Sequence, residues 1–214
     1  MRFTDGRAAG RALAEKLGAY AGRADVAVLA VARGGVGVGL EVSKRLGLPL
    51  DLVLIRRLLV PRGPHDPLCA ASAAGSLFLD EEISARAADA RETVFAGFLA
   101  DALAELEERA RACRGGRAAL DLSGKTVVLV DNGVRTGSTM RVAARAVRAG
   151  SPARIVAAAP VAAADALDPV RTVVDEFVHL ASPEPFGHVG VWYADFTSLG
   201  DDEIRAMLEE SERG

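Results

Sequence analysis

The chain has 214 residues, half of them hydrophobic and 26% charged, with a formal net charge of -3 and a pI of about 5.7. That balance excludes the general basic footprint of a nucleic-acid binder, and no apolar run approaches the roughly 20 residues that span a bilayer. Two cysteines, Cys69 and Cys113, and three histidines at 65, 179 and 188 are too few and too scattered for a zinc site or a disulfide framework.

The opening residues, MRFTDGRAAG, lack the apolar core of a signal peptide, so a cytoplasmic protein without membrane or nucleic-acid partners is expected. Ala, Leu and Arg at helical spacing over 8–17 predict a first helix, and the Val-rich run 26–31 predicts a buried strand. Residues 32–42, ARGGVGVGLEV, put glycines between that strand and a helix over 38–46. A dinucleotide fingerprint would do the same, but Gly35, Gly37 and Gly39 alternate and no Gly-x-Gly-x-x-Gly window exists. The bland reading of Gly34-Gly35 is a tight turn that needs positive φ. A second strand over 52–55 runs directly into Arg56-Arg57, which puts two cations at its carboxyl end.

Three prolines and a glycine within 61–67 cannot sit in a helix or a central strand, and predict a loop that carries Arg62 and His65. Residues 80–113, acidic and alanine-rich, break the rhythm and predict one or two helices inserted between the second and third core strands. Further buried runs at 127–130, 155–159 and 173–180, with a helix over 140–149, complete an alternation of strands and helices. Such alternation predicts an α/β domain whose parallel sheet is covered on both faces.

The run 127–130 ends on Asp131-Asn132 and is followed by Thr136, Gly137, Ser138 and Thr139. Ligands of open α/β sheets sit at the carboxyl ends of strands. A helix start offers unpaired N–H groups and a dipole that favours an anion. Hydroxyls at Thr136, Ser138 and Thr139 add donors, and Gly137 lets the backbone come close. An anion cradle beside a carboxylate fits a ribose 5-phosphate. A helix cap is the bland alternative, but a cap needs one such residue and leaves the glycine and the carboxylate without a purpose.

The stretch 127–139 resembles the ribose-phosphate signature of type I phosphoribosyltransferases: an apolar strand, two acids, a few variable residues, then Thr-Gly-x-Thr. Asp131 matches the first acid; Asn132 stands where a second is usual, and Arg135 where 6-oxopurine enzymes carry an acid. Arg33-Gly34-Gly35 is similar to the family's pyrophosphate loop, and Arg57 to its strand-end cation. The segment 61–67 takes the place of its flexible catalytic loop, and 181–198 that of its base-binding hood. "RFTDGRAAGRALAEKL", "LDLSGKTVVLVD" and "GVWYADF" extend the likeness to a bacterial subfamily over nearly the whole chain.

The resemblance implies a single domain over 1–214 with the type I fold: a mostly parallel sheet flanked by helices, a small hood, and the inserted segment 80–113. It implies transfer of ribose 5-phosphate from phosphoribosyl pyrophosphate to a nucleobase-like acceptor, with Mg2+. Asp131 and Asn132 would hold the ribose, Arg135 to Thr139 the 5-phosphate, and Arg33, Gly34, Gly35 and Arg57 the pyrophosphate. Phe186, Trp192 and Asp195 would frame the acceptor, with Asp195, and Asp131 indirectly, serving the metal. A non-catalytic sensor of the same ligands is the alternative, and a homodimer is compatible with either.

Overall fold

A computed structural model describes residues 1–58, 68–73, 76–79 and 93–213. The first helix, α1 (Gly6–Lys16), starts where the Asp5 carboxylate accepts the Ala8 N–H at 2.7 Å. Then come β1 (Val26–Ala32), α2 (Val36–Leu46) and β2 (Leu50–Leu58), with Gly47 at φ 63 turning the chain between the last two. Beyond them lie β3 (Leu68–Ala73), β4 (Ser76–Leu79) and the long α3 (Thr93–Arg114). The second half runs β5 (Thr126–Val130), α4 (Ser138–Arg148), β6 (Arg154–Val161), α5 (Ala164–Arg171), β7 (Glu176–Ala181) and α6 (Asp201–Glu212).

The described residues form one seven-stranded sheet in the order β4-β3-β2-β1-β5-β6-β7. Strands β2, β1, β5, β6 and β7 are parallel, with Val28 opposite Val128 and Leu29 opposite Leu129 across the centre. The valines of β1 and β5 are fully or nearly fully buried, as a strand covered on both faces requires. Two helix groups provide the cover: α1, α2, α6 and α3 pack in succession, while α4 packs with α5.

The expected runs 26–31, 52–55, 127–130 and 155–159 fall inside β1, β2, β5 and β6. The run 173–180 becomes the shorter β7, half-buried along its length because it is an edge. Strands β3 and β4, an antiparallel hairpin on β2, are not evident in the sequence: LCAASA and SLFL show neither alternation nor a β-branched run. Among the described residues of the inserted segment, a helix begins at Thr93 and packs on β2, β3 and α6. Residues 80–92, and the loop 61–67 with Arg62 and His65, lie outside the described residues. Among the described residues, no helix is long and apolar enough to cross a membrane.

Charged contacts tie the helices to this frame. Glu210 of α6 takes Arg7 of α1 at 2.7 Å and Lys44 of α2 at 3.0 Å. Arg7 above all holds that carboxyl at about 2. Deeper in, Arg114 at the end of α3 donates from Nε to Asp51 of β2 at 2.8 Å, and both side chains are under a tenth exposed. Asp51 also accepts the Leu52 and Leu120 N–H groups at 2.7 and 3.0 Å, so its buried charge is fully solvated by protein. Removing one partner strands the other: Arg114→Ala should lower unfolding free energy by about 3–5 kcal/mol in urea titrations. A loss under about 1 kcal/mol, the level of an exposed pair, would show that the contact carries no such weight.

Candidate functional site

Strand order reverses at the middle of the sheet. From β1 the chain moves outward to β2; from β5 it moves the other way, to β6 and β7. Loops leaving the carboxyl ends of β1 and β5 therefore diverge and open a crevice between them, the general ligand position of such sheets. Arg33-Gly34-Gly35 leaves β1, after a cis peptide between Ala32 and Arg33, and 131–137 leaves β5.

The two loops touch because one side has no side chains. A Cβ on Gly35 would lie 2.5 Å from the Val130 carbonyl and 2.8 Å from that of Val31. A Cβ on Gly34 would lie 2.4 Å from the Asn132 amide nitrogen. Gly35 has φ -75, so close approach rather than positive φ makes the glycines necessary here. Gly137 differs: at φ 78 it is the N-cap of α4, and a Cβ would lie 2.8 Å from Val170.

The loop after β5 is pinned along its length. Asp131 is 8% exposed, and its Oδ1 accepts the Asn132 N–H at 2.8 Å. Val134 extends the sheet, donating to Val161 at 2.9 Å and accepting from Ala163 at 2.8 Å. Beyond it Arg135 and Thr136 are exposed, Gly137 is buried, and Ser138 and Thr139 are half-buried. No side-chain bond from the N-cap closes α4. Thr136 Oγ1 lies 3.1 Å from Ser138 Oγ, and the Ser138 N–H donates to it at a long 3.4 Å.

Two adjoining cavities occupy the crevice. The first, about 520 Å³, is lined by all of 131–140, facing Val31, Ala32, Gly34, Val189 and Phe196. The second, about 870 Å³, shares Gly34, Asn132 and Phe196 and adds Arg33, Tyr193 and Asp195. Asp131, Asn132, Gly34 and 135–139 thus converge on one space. Arg33 is half-exposed and 3.8 Å from Asp201, whose carboxylate Arg109 grips at 2.7 Å and holds below the usual range. Arg57 stands opposite Cys69 in the β2–β3 ladder, and its side chain lies outside the described residues.

Residues 2–5 and the segment after β7 form the opposite wall. Phe3 donates to Trp192 and accepts from Ala194, both at 2.8 Å, and Asp195 donates to Thr4 at 2.8 Å. Phe186 is buried, its ring 6.1 Å from that of Trp192, whose indole N–H donates to the Phe186 carbonyl at 3.1 Å. Neither lines either cavity; Val189 and Phe196 do, with Val189 packed so tightly on Gly133 that a Cβ there would lie 2.6 Å away. Asp195 is exposed on the second cavity, its carboxyl held low mainly by the Thr197 hydroxyl at 2.6 Å. Tyr193, two residues before it, is buried and donates its hydroxyl to the Asn132 carbonyl. The sequence places Tyr193 and Phe196 in the aromatic cluster around Asp195, of a kind that can stack on a base, but carries no signal for Val189.

A profile of the phosphoribosyl transferase domain matches residues 76–194. Two Mycobacterium tuberculosis proteins, "Putative phosphoribosyl transferase Rv0571c" and its MT0597 counterpart, are 37% identical over 99% of the chain. The chain spans about half the length of these curated relatives, 47%. The crystal structure of TT1426 from Thermus thermophilus is 38% identical, with a TM-score of 0.81, covering 98% of this chain and 99% of that one.

The crowding at the paired glycines makes a graded prediction. Gly35→Ala meets two backbone carbonyls and should cost about 1–3 kcal/mol of stability. Gly34→Ala meets a side chain that can swing aside, and should cost less than about 1 kcal/mol while displacing Asn132. Equal losses in thermal or urea unfolding would contradict this packing.

Proposed function

The chain belongs to the phosphoribosyl transferase family, and we propose that it moves ribose 5-phosphate from phosphoribosyl pyrophosphate to a ring nitrogen of a base, releasing pyrophosphate. The carrying observation is the first cavity, where a carboxylate at the end of β5 stands beside a hydroxyl-bearing helix start and faces the Arg33-Gly34 loop. The 5-phosphate would take the donors of 135–139, and the ribose hydroxyls would donate to Asp131 and meet Asn132. Arg33 and the backbone after β1 would receive the pyrophosphate. The C1–oxygen bond to pyrophosphate breaks as the C1–nitrogen bond forms, through an oxocarbenium-like state. Protein groups fixed in advance contribute by position and charge.

Val189 and Phe196 offer the acceptor apolar surface across from the ribose loop, with Asp195 beside them. Mg2+ suits this donor set as a ligand-borne ion. Among the described residues no cluster of three or more His, Cys, Asp or Glu could cage a metal. Two separated carboxylates facing space for phosphate oxygens match how magnesium is held. Asp195, and Asp131 through ribose or water, would hold it, and it would neutralise charge on the leaving group.

A sensor that binds these ligands without turnover is the second reading. Asn132 favours it, because an amide brings no charge to a metal-bound ribose.

Calorimetry with phosphoribosyl pyrophosphate and Mg2+, followed by assays of pyrophosphate release over a panel of bases, tests the proposal. We expect binding, turnover with at least one base, and at least tenfold weaker binding in Asp131→Ala and Thr139→Ala, about 1.4 kcal/mol, with unfolding temperatures retained. Binding without turnover on any base would favour the sensor. Absence of binding to phosphoribosyl pyrophosphate and to nucleoside monophosphates would overturn both readings.

A further inference from the structure

We infer that Tyr193 is a positioning residue for the ribose-phosphate site, acting through the Asn132 carbonyl; its role toward ligand rests on the function proposed above. Its ring is 2% exposed, between Phe3 at 5.7 Å and Phe196 at 5.4 Å, an apolar setting that a phenylalanine would fill as well. A hydroxyl buried there needs a partner. That partner is the main chain of Asn132, 61 positions earlier in sequence.

Both ends of this bond are fixed. On the tyrosine side, the Arg2 guanidinium donates twice to the Tyr193 carbonyl, at 3.3 and 3.2 Å, and the flanking residues are bonded to Phe3 and Thr4. On the other side, the Asn132 N–H goes to Asp131 and its amide group lies against Gly34. Val134, two residues on, is bonded into the sheet beside β6. The carbonyl is where the hood grips this loop, next to the carboxylate meant for the ribose. Burial, with the Asp131 charge adding to it, pushes the phenol up from its ordinary value.

The consequence is geometric. Val134 anchors one end of the segment and Tyr193 the other, and Asp131 and Asn132 take their positions from both. Misplacing a binding group by about 1 Å can cost about a hundredfold in rate. The cluster of aromatics around Asp195 thus serves the ribose loop as well as the acceptor wall.

Tyr193→Phe keeps the ring and deletes the bond. Hydrogen exchange of the ligand-free protein and calorimetry with phosphoribosyl pyrophosphate test it together. We expect faster exchange at amides 132–134, unchanged exchange in β1 and β6, and about tenfold weaker binding than wild type, a shift of about 1.4 kcal/mol. Unchanged exchange at 132–134, or an equal rise across the whole sheet, would overturn the positioning role. A local rise in exchange, with neither protein binding phosphoribosyl pyrophosphate, would support the clamp and overturn the ribose-phosphate reading.

Discussion

Everything at the site depends on β1 and β5 lying side by side and in parallel while the chain leaves them in opposite directions. Two loops must then share the space above one pair of strand ends. They fit because Gly34 and Gly35 remove the atoms that would collide with Asn132 and with the Val130 and Val31 carbonyls. Close backbone packing is usually argued from stability; here it also decides how near two ligand-holding loops can come.

The rest of the molecule secures that arrangement. Asp51 and Arg114 tie α3 to β2, and the Arg7–Glu210–Lys44 cluster ties α6 to α1 and α2. Arg109 on α3 fixes Asp201 at the start of α6, and Asp201 in turn faces Arg33. The hood follows the same logic: residues 2–5 brace 192–195, and Tyr193 braces Asn132. Charge and hydrogen bonds therefore hold the loops from several sides, while the apolar strands carry them to the crevice.

Much of this frame was legible because it is local. A run such as Val127-Val128-Leu129-Val130 declares a covered strand, and a glycine among hydroxyls declares an unusual helix start. What was not legible is relational. LCAASA and SLFL pair only because β2 offers an edge, and composition holds no record of that. Gly34-Gly35 looks like a turn, and only the neighbouring loop reveals that proximity is what demands it. In 183–198 the sequence marks large side chains without saying which face the cavity. Trp192 bonds inward to Phe186, while Val189 and Phe196 take the wall. The Tyr193–Asn132 bond joins residues whose spacing follows no periodicity at all.

The most direct test of the central claim, that the β1–β5 crevice is the ligand site, is an amide chemical-shift titration with phosphoribosyl pyrophosphate and Mg2+. The account predicts that amides 135–139 and those of Gly34 and Gly35 shift together with one dissociation constant. Shifts confined to surfaces away from both loops, with these amides unmoved, would contradict it.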